Sequence, residues 1–77
     1  MEIKEKIKDT LIKLLKIRPE EAQDDIRLSE GIGMDSTEMV EFVIALEKTF
    51  ATKLSPKEIT KSCTINEIEK IIQTKLS

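Results

Sequence analysis

The chain contains no histidine, no tryptophan and no tyrosine, and Phe42 and Phe50 are its only aromatic residues. Without histidine, a serine or cysteine nucleophile has no imidazole to take its proton, and the commonest nucleophile–base pairings are excluded. Two aromatics cannot build a stacking platform for bases, so a nucleic-acid partner is not expected. The single cysteine, Cys63, rules out a disulfide framework and a cysteine-rich zinc site. Its apolar neighbours suit a small buried residue better than a reactive thiol. No apolar run approaches the roughly 20 residues that span a bilayer. The first residues alternate lysine and glutamate and lack the apolar stretch of a secretory signal. The expectation is a cytoplasmic monomer without membrane insertion.

What is present is charge, unevenly distributed. The net charge of −2 conceals three blocks. Residues 1–18 hold six cations against three acids, and residues 48–77 do the same. Residues 19–47 hold nine acids against Arg27 alone. A charge run is most simply a solvated face; an acidic face can also steer basic partners by long-range attraction. A length of 77 residues implies one domain, 1–77, with a modest core that buries about 60% of the unfolded surface. A deep, enclosed active site would not fit beside it.

Hydrophobic spacing of three and four predicts helices, and no strand signal stands against them. Residues 2–16 place Ile3, Ile7, Leu11 and Leu14 or Leu15 on one stripe, with Arg18-Pro19 as the stop. Residues 17–35 read as a long connection anchored by Ile26, Leu28 and Ile32; connections of that length in small domains are most often functional or disordered. Residues 36–50 form the second helix, buried along Met39, Val43, Leu46 and Phe50, with Phe42 extending the core. Val40 and Ile44 share another face, either as bundle core or as an apolar patch rimmed by charge. Ser55-Pro56-Lys57-Glu58 predicts a short third helix over roughly 56–61. Thr64-Ile65-Asn66-Glu67 opens a last helix, 65–76, with Ile65, Ile68, Ile71 or Ile72, and Leu76 facing inward. The expected fold is all-α: a four-helix bundle of three main helices and a short one, with a long loop between helices 1 and 2.

Gly33-Met34-Asp35-Ser36 is the most informative stretch. Asp35 followed three residues later by Glu38 reads as a capping box, which makes Ser36 the first helical residue. Its hydroxyl then points outward beside amides that lack intrahelical partners, at the positive end of the helix dipole. That position suits a bound or attached phosphate. No histidine or lysine is near to activate Ser36, and Asp35 is a poor base for an alcohol, so hydrolase chemistry is not expected. Asp24-Asp25 lacks calcium-loop spacing, and Gly31-Ile32-Gly33 lacks the lysine and strand of a phosphate-binding loop. No catalytic or metal site is expected. Ser36 reads as a substrate for another enzyme.

These residues, followed by Met39-Val40-Glu41-Phe42-Val43-Ile44-Ala45-Leu46-Glu47, resemble the phosphopantetheine attachment region of an acyl carrier protein. Leu28-x-x-x-Ile32-Gly33, the stretch from Phe50 to Pro56 and the Thr64-Ile65 helix start extend the likeness to nearly the whole chain. The resemblance implies a carrier and not an enzyme: a phosphopantetheinyl transferase would place 4'-phosphopantetheine on Ser36, and Asp35 would help present that serine to the transferase. The arm would carry acyl thioesters between loading and processing enzymes of fatty acid or specialised lipid and polyketide-type biosynthesis. Glu38, Glu41 and Glu47, with Val40, Ile44 and Thr37, would meet basic docking patches on those enzymes. The chain departs from the family at Thr37, where leucine or methionine is usual, at Gly31, where an acid is common, and at Lys48, Lys53 and Lys57, which often are acids. These departures point to a specialised freestanding carrier. Two other readings share the sequence features: an aminoacyl, peptidyl or D-alanyl carrier, and an unmodified helical interaction module acting through its acidic helix.

Overall fold

Three stretches with helical spacing become helices because each buries one stripe in a shared core and most carry local signals at their ends. A computed structural model describes residues 3–55 and 57–76. Helix α1 runs Ile3–Leu15, α2 Ser36–Phe50 and α3 Ile65–Leu76. No strand occurs among the described residues; the nearest thing is an isolated antiparallel bridge between Arg27 and Thr64. Helix α1 packs against both α2 and α3, and Ile7, Leu11, Phe42, Leu46, Ile65, Ile68 and Ile72 are fully buried between them. The all-helical bundle expected from the sequence is the observed architecture.

The ends of α2 and α3 obey their local signals. At α2, Glu38 N donates to Asp35 Oδ1 at 2.8 Å and Asp35 N donates to Glu38 Oε1 at 3.1 Å, the reciprocal box expected of that spacing. At α3, Glu67 N donates to Thr64 Oγ1 at 3.2 Å and Thr64 N to Glu67 Oε1 at 2.8 Å. Helix α2 stops at Ala51, which takes a left-handed conformation (φ 52°), with its N–H donating to Glu47 O.

Three expectations need correction. Helix α1 ends at Leu15, not at 16, because Lys16 is left-handed (φ 55°) and breaks the run before Arg18-Pro19 is reached. Pro19 instead opens a single 3-10 turn, Pro19–Glu21, tied by Arg18 N donating to Glu21 Oε2 at 2.9 Å. The inward position assigned to Leu76 is half exposed, and Ile72, not Ile71, completes the buried stripe of α3. The short helix expected over 56–61 has Pro56 outside the described residues, and the chain from Ser55 to Ile59 closes a single turn. Ile59 N donates to Ser55 O at 3.1 Å, Lys57 N to Ser55 Oγ at 3.1 Å and Ser55 N to Glu58 Oε2 at 3.1 Å. The chain does not go on as a helix, and carbonyls downstream pair elsewhere. Ser29 N donates to Lys61 O at 2.9 Å and Leu28 N to Cys63 O at 3.2 Å.

These bonds also explain how so long a connection stays ordered. The 17–35 segment is laced to 61–66 by its backbone, with Asn66 N donating to Asp24 O at 3.0 Å as a third tie. Ala22, Leu28 and Met34 are buried, while Ile26 and Ile32 are only partly covered. Leu28–Ile32 forms one wide turn that closes on Gly33, which is left-handed (φ 81°). Cys63 is half-buried, its sulfur 3.8 Å from Glu58 O.

A charge cluster clamps the same segment from its other side. Asp24 Oδ2 accepts from Lys4 Nζ at 3.2 Å, Asp24 Oδ1 is shielded from solvent against the Lys8 ammonium, and Lys4 also lies 3.7 Å from Glu69 of α3. The hydrogen bonds from Lys8 and Lys4 hold the Asp24 carboxyl below its ordinary value of 3.8. A carboxylate whose pKa is depressed by folding contributes stability above its unfolded pKa and loses it as pH falls through the folded value. Asp24→Asn is therefore expected to destabilise the chain more at pH ~6 than at pH ~3, where the carboxyl has begun to take up its proton in the unfolded state. Urea melts of both proteins at the two pH values check this, and an equal loss at both would contradict the clamp.

Candidate functional site

The capping box fixes what Ser36 can do. Asp35 is extended (φ −94°, ψ −179°) and Ser36 is the first residue of α2. Its side chain is exposed. Among the described residues, the amides of Ser36 and Thr37 have no acceptor, whereas Glu38 N is taken by Asp35 and Met39 N donates to Asp35 O at 3.0 Å. Two free N–H groups and the helix dipole thus favour negative charge beside the Ser36 hydroxyl. Asp35 and Glu38 place two carboxylates in the same neighbourhood and oppose it.

The approach to Ser36 is shaped by two glycines for different reasons. Gly33 is required by its backbone: no atom would crowd a side chain there, but φ 81° is a conformation side chains disfavour. Gly31 is required by space. A Cβ at Gly31 would lie 1.8 Å from Ile26 Cγ1 and 2.2 Å from Ile26 Cδ1. Ile26 has folded over the position that a side chain would need.

Ser36 opens onto a groove of about 280 Å³, lined also by Met39, Val40, Ile59, Thr60 and Lys61. Its floor is apolar and its rim polar. Ile59 is brought there by the turn that starts at Ser55. Leu46, Leu54 and Ile68 are buried in the core and do not line the groove. Thr60 and Lys61 were not legible as site residues, since no local pattern marks them and only the pairing of 61–63 with 28–29 brings them beside α2. A separate groove of about 350 Å³ lies between α1 and α2, lined by Lys6, Asp9, Thr10, Lys13, Ala45 and Thr49. It shares no residue with the first.

The residues named for partner contact divide into two groups. Val40 and Ile44 are 49% and 45% exposed, which settles their face as surface and not bundle core. Thr37 and Glu41 are exposed beside them in the sequence. Glu38 and Glu47 are partly covered, and each has a carboxylate oxygen engaged by its own chain: Glu38 Oε1 by Asp35 N, and Glu47 Oε2 by Leu54 N at 2.9 Å. Of the three acids, Glu41 alone has neither oxygen bonded within the described residues. No group of three metal-ligating side chains converges among the described residues. Asp24 is paired with Lys4 and Lys8.

Residues 5–72 match the family described as "Phosphopantetheine attachment site". The chain is similar to an acyl carrier protein of Wolinella succinogenes, 32% identical over 96% of this chain and 97% of the relative. It is also similar to one of Campylobacter hominis, 30% identical over 95% and 92% respectively. A third, from Campylobacter fetus, is 28% identical over 88% of both chains.

Proposed function

Because the chain belongs to the acyl carrier protein family and contains the phosphopantetheine attachment domain over most of its length, we propose that Ser36 is the attachment residue and that the cargo is an acyl group. Proteins of this family are carriers and not enzymes, and their domain bears covalent 4'-phosphopantetheine, which supplies a thiol for thioester chemistry. The residues present fit that group: an exposed hydroxyl, two unbonded amides and an apolar groove meet at one helix end. Attachment forms a bond from Ser36 Oγ to the pantetheine-side phosphorus of coenzyme A. The pyrophosphate bond breaks, 3',5'-ADP leaves, and a base on the transferase takes the hydroxyl proton. This chain contributes orientation. Asp35 caps α2 through one carboxylate oxygen and holds Ser36 at the first helical position, where the transferase and its magnesium ion can reach it.

Partner enzymes would dock on the face presented by Thr37, Val40, Glu41 and Ile44, with Glu38 and Glu47 adding charge through their remaining oxygens. The observation that carries the attachment reading is the exposed Ser36 at the mouth of a capped helix. Incubation with coenzyme A, magnesium and a broad-range phosphopantetheinyl transferase should add one prosthetic group by mass, and Ser36→Ala should add none. An unchanged mass for the parent chain would leave an unmodified interaction module as the alternative. No described helix is long and apolar enough to cross a membrane, and we place the carrier in the cytoplasm as a monomer.

Thr37, Gly31 and the lysines at 48, 53 and 57 support a carrier dedicated to one pathway. Loaded with a standard fatty acyl starter, the holo chain is expected to be elongated more slowly by general fatty-acid enzymes than a housekeeping carrier is. Equal rates would contradict specialisation.

A further inference from the structure

The groove that Ser36 opens onto contains one cation. Met39, Val40 and Ile59 line its apolar part, and Ser36, Thr60 and Lys61 its polar part. The Lys61 side chain is exposed and makes no ion pair among the described residues. Its backbone is held in place, because Lys61 O accepts from Ser29 N at 2.9 Å. The local charge balance gives this lysine a task. A phosphodiester on Ser36 adds a negative charge beside Asp35 and Glu38, and the dipole of α2 offsets only about half a charge.

We propose that Lys61 is the positioning residue for the arm on Ser36: its ammonium pairs with the phosphodiester and draws the arm back over the Met39–Val40–Ile59 floor. This rests on Ser36 being the attachment site. Pairing at an exposed rim is weak and screened by salt, so the lysine biases the arm between a docked and an extended state and leaves it free for partners.

The test uses the full chain in apo and holo forms, with holo status confirmed by mass. Amide spectra are compared at about 0.01 M salt, where the Debye length is ~30 Å, and at about 1 M, where it is ~3 Å. In the parent chain at low salt, attachment should shift the amides of Ile59, Thr60 and Lys61 as well as those of Ser36 and Thr37. In Lys61→Gln, and in the parent at high salt, the shifts at 59–61 should fall by about half or more, in proportion to the lost pairing. Lys61→Arg should restore them, which a merely structural role for the lysine side chain would not require, and Lys53→Gln should leave them unchanged. The same spectra report whether each variant is folded, and the salt series on the parent decides the matter if Lys61→Gln is not. Shifts confined to Ser36 and Thr37, or shifts at 59–61 indifferent to both Lys61→Gln and salt, would overturn the proposal while leaving attachment intact. Failure to load at all would remove the attachment reading and this one with it.

Discussion

Phe42→Ala should lower the melting temperature by at least about 12 °C, from a cost of ~3–5 kcal/mol at roughly 4–8 °C per kcal/mol. Phe42 is completely buried in α2 and is the largest fully buried side chain of the core. Its removal deletes apolar contact at the centre of the core and leaves a cavity that the surrounding side chains fill only partly. A domain of this size has a total stability of roughly 4–12 kcal/mol at 0.05–0.15 kcal/mol per residue. Such a loss brings it close to unfolding at ordinary temperature. Thermal melts followed by circular dichroism check this. A drop of only a few degrees would mean that the bundle is not held by the core described.

Gly31→Ala is the second large effect, and it acts through space and not through backbone freedom. A methyl group at 31 would sit inside the volume of Ile26 Cγ1 and Cδ1, and 3.2 Å from Ile26 Cβ. Rotating the Ile26 side chain can clear the outer atoms. Its Cβ is fixed to the backbone, and its branching leaves few alternative rotamers. Forced overpacking costs about 1–3 kcal/mol. Ile26→Ala removes the offending atoms, so the double variant should lose measurably less than the sum of the two single losses. Additivity to within about 0.5 kcal/mol would refute the contact. The same contact gives Gly31 a packing reason of its own: Ile26 occupies the room that a side chain would need. The specialisation suggested by Gly31 is thus partly a packing consequence, and Thr37 and the lysines weigh more heavily for it.

Which features were legible in the sequence depends on how far their causes reach. The start of α2 and the start of α3 were readable because Asp35–Glu38 and Thr64–Glu67 bond within four residues. The buried stripe of α2 was readable because Met39, Phe42, Val43, Leu46 and Phe50 repeat at helical spacing. The end of α1 was not, because Lys16 adopts a left-handed conformation with no glycine to announce it. Ser55–Glu58 carried a sound start signal, and the turn it starts does form. No local signal marks where that turn stops, or that Lys61 O and Cys63 O pair with residues more than thirty positions earlier. The same distant pairing hid Thr60 and Lys61 from the site. The exposed docking face was half legible: spacing put Val40 and Ile44 together, but only burial showed that they face outward. Glu38 and Glu47 were readable as acids, and their use in capping Asp35 and Leu54 was apparent only for Glu38.

One serine oxygen among several is singled out as the attachment point. Ser29 and Ser55 are half-buried, and Ser55 Oγ accepts from Lys57 N; Ser62 is exposed but lies in a turn two residues before the Thr64 cap of α3, outside the helix. Among the described serines, only Ser36 combines exposure with unbonded amides at the head of a long helix. The most direct measurement is fragment mass spectrometry of the transferase-treated chain, which locates the added group on a single peptide. The group should be found on Ser36 and nowhere else. Its recovery on Ser62 or Ser29, or its retention in Ser36→Ala, would contradict the claim that the capped mouth of α2 is the carrier's attachment point.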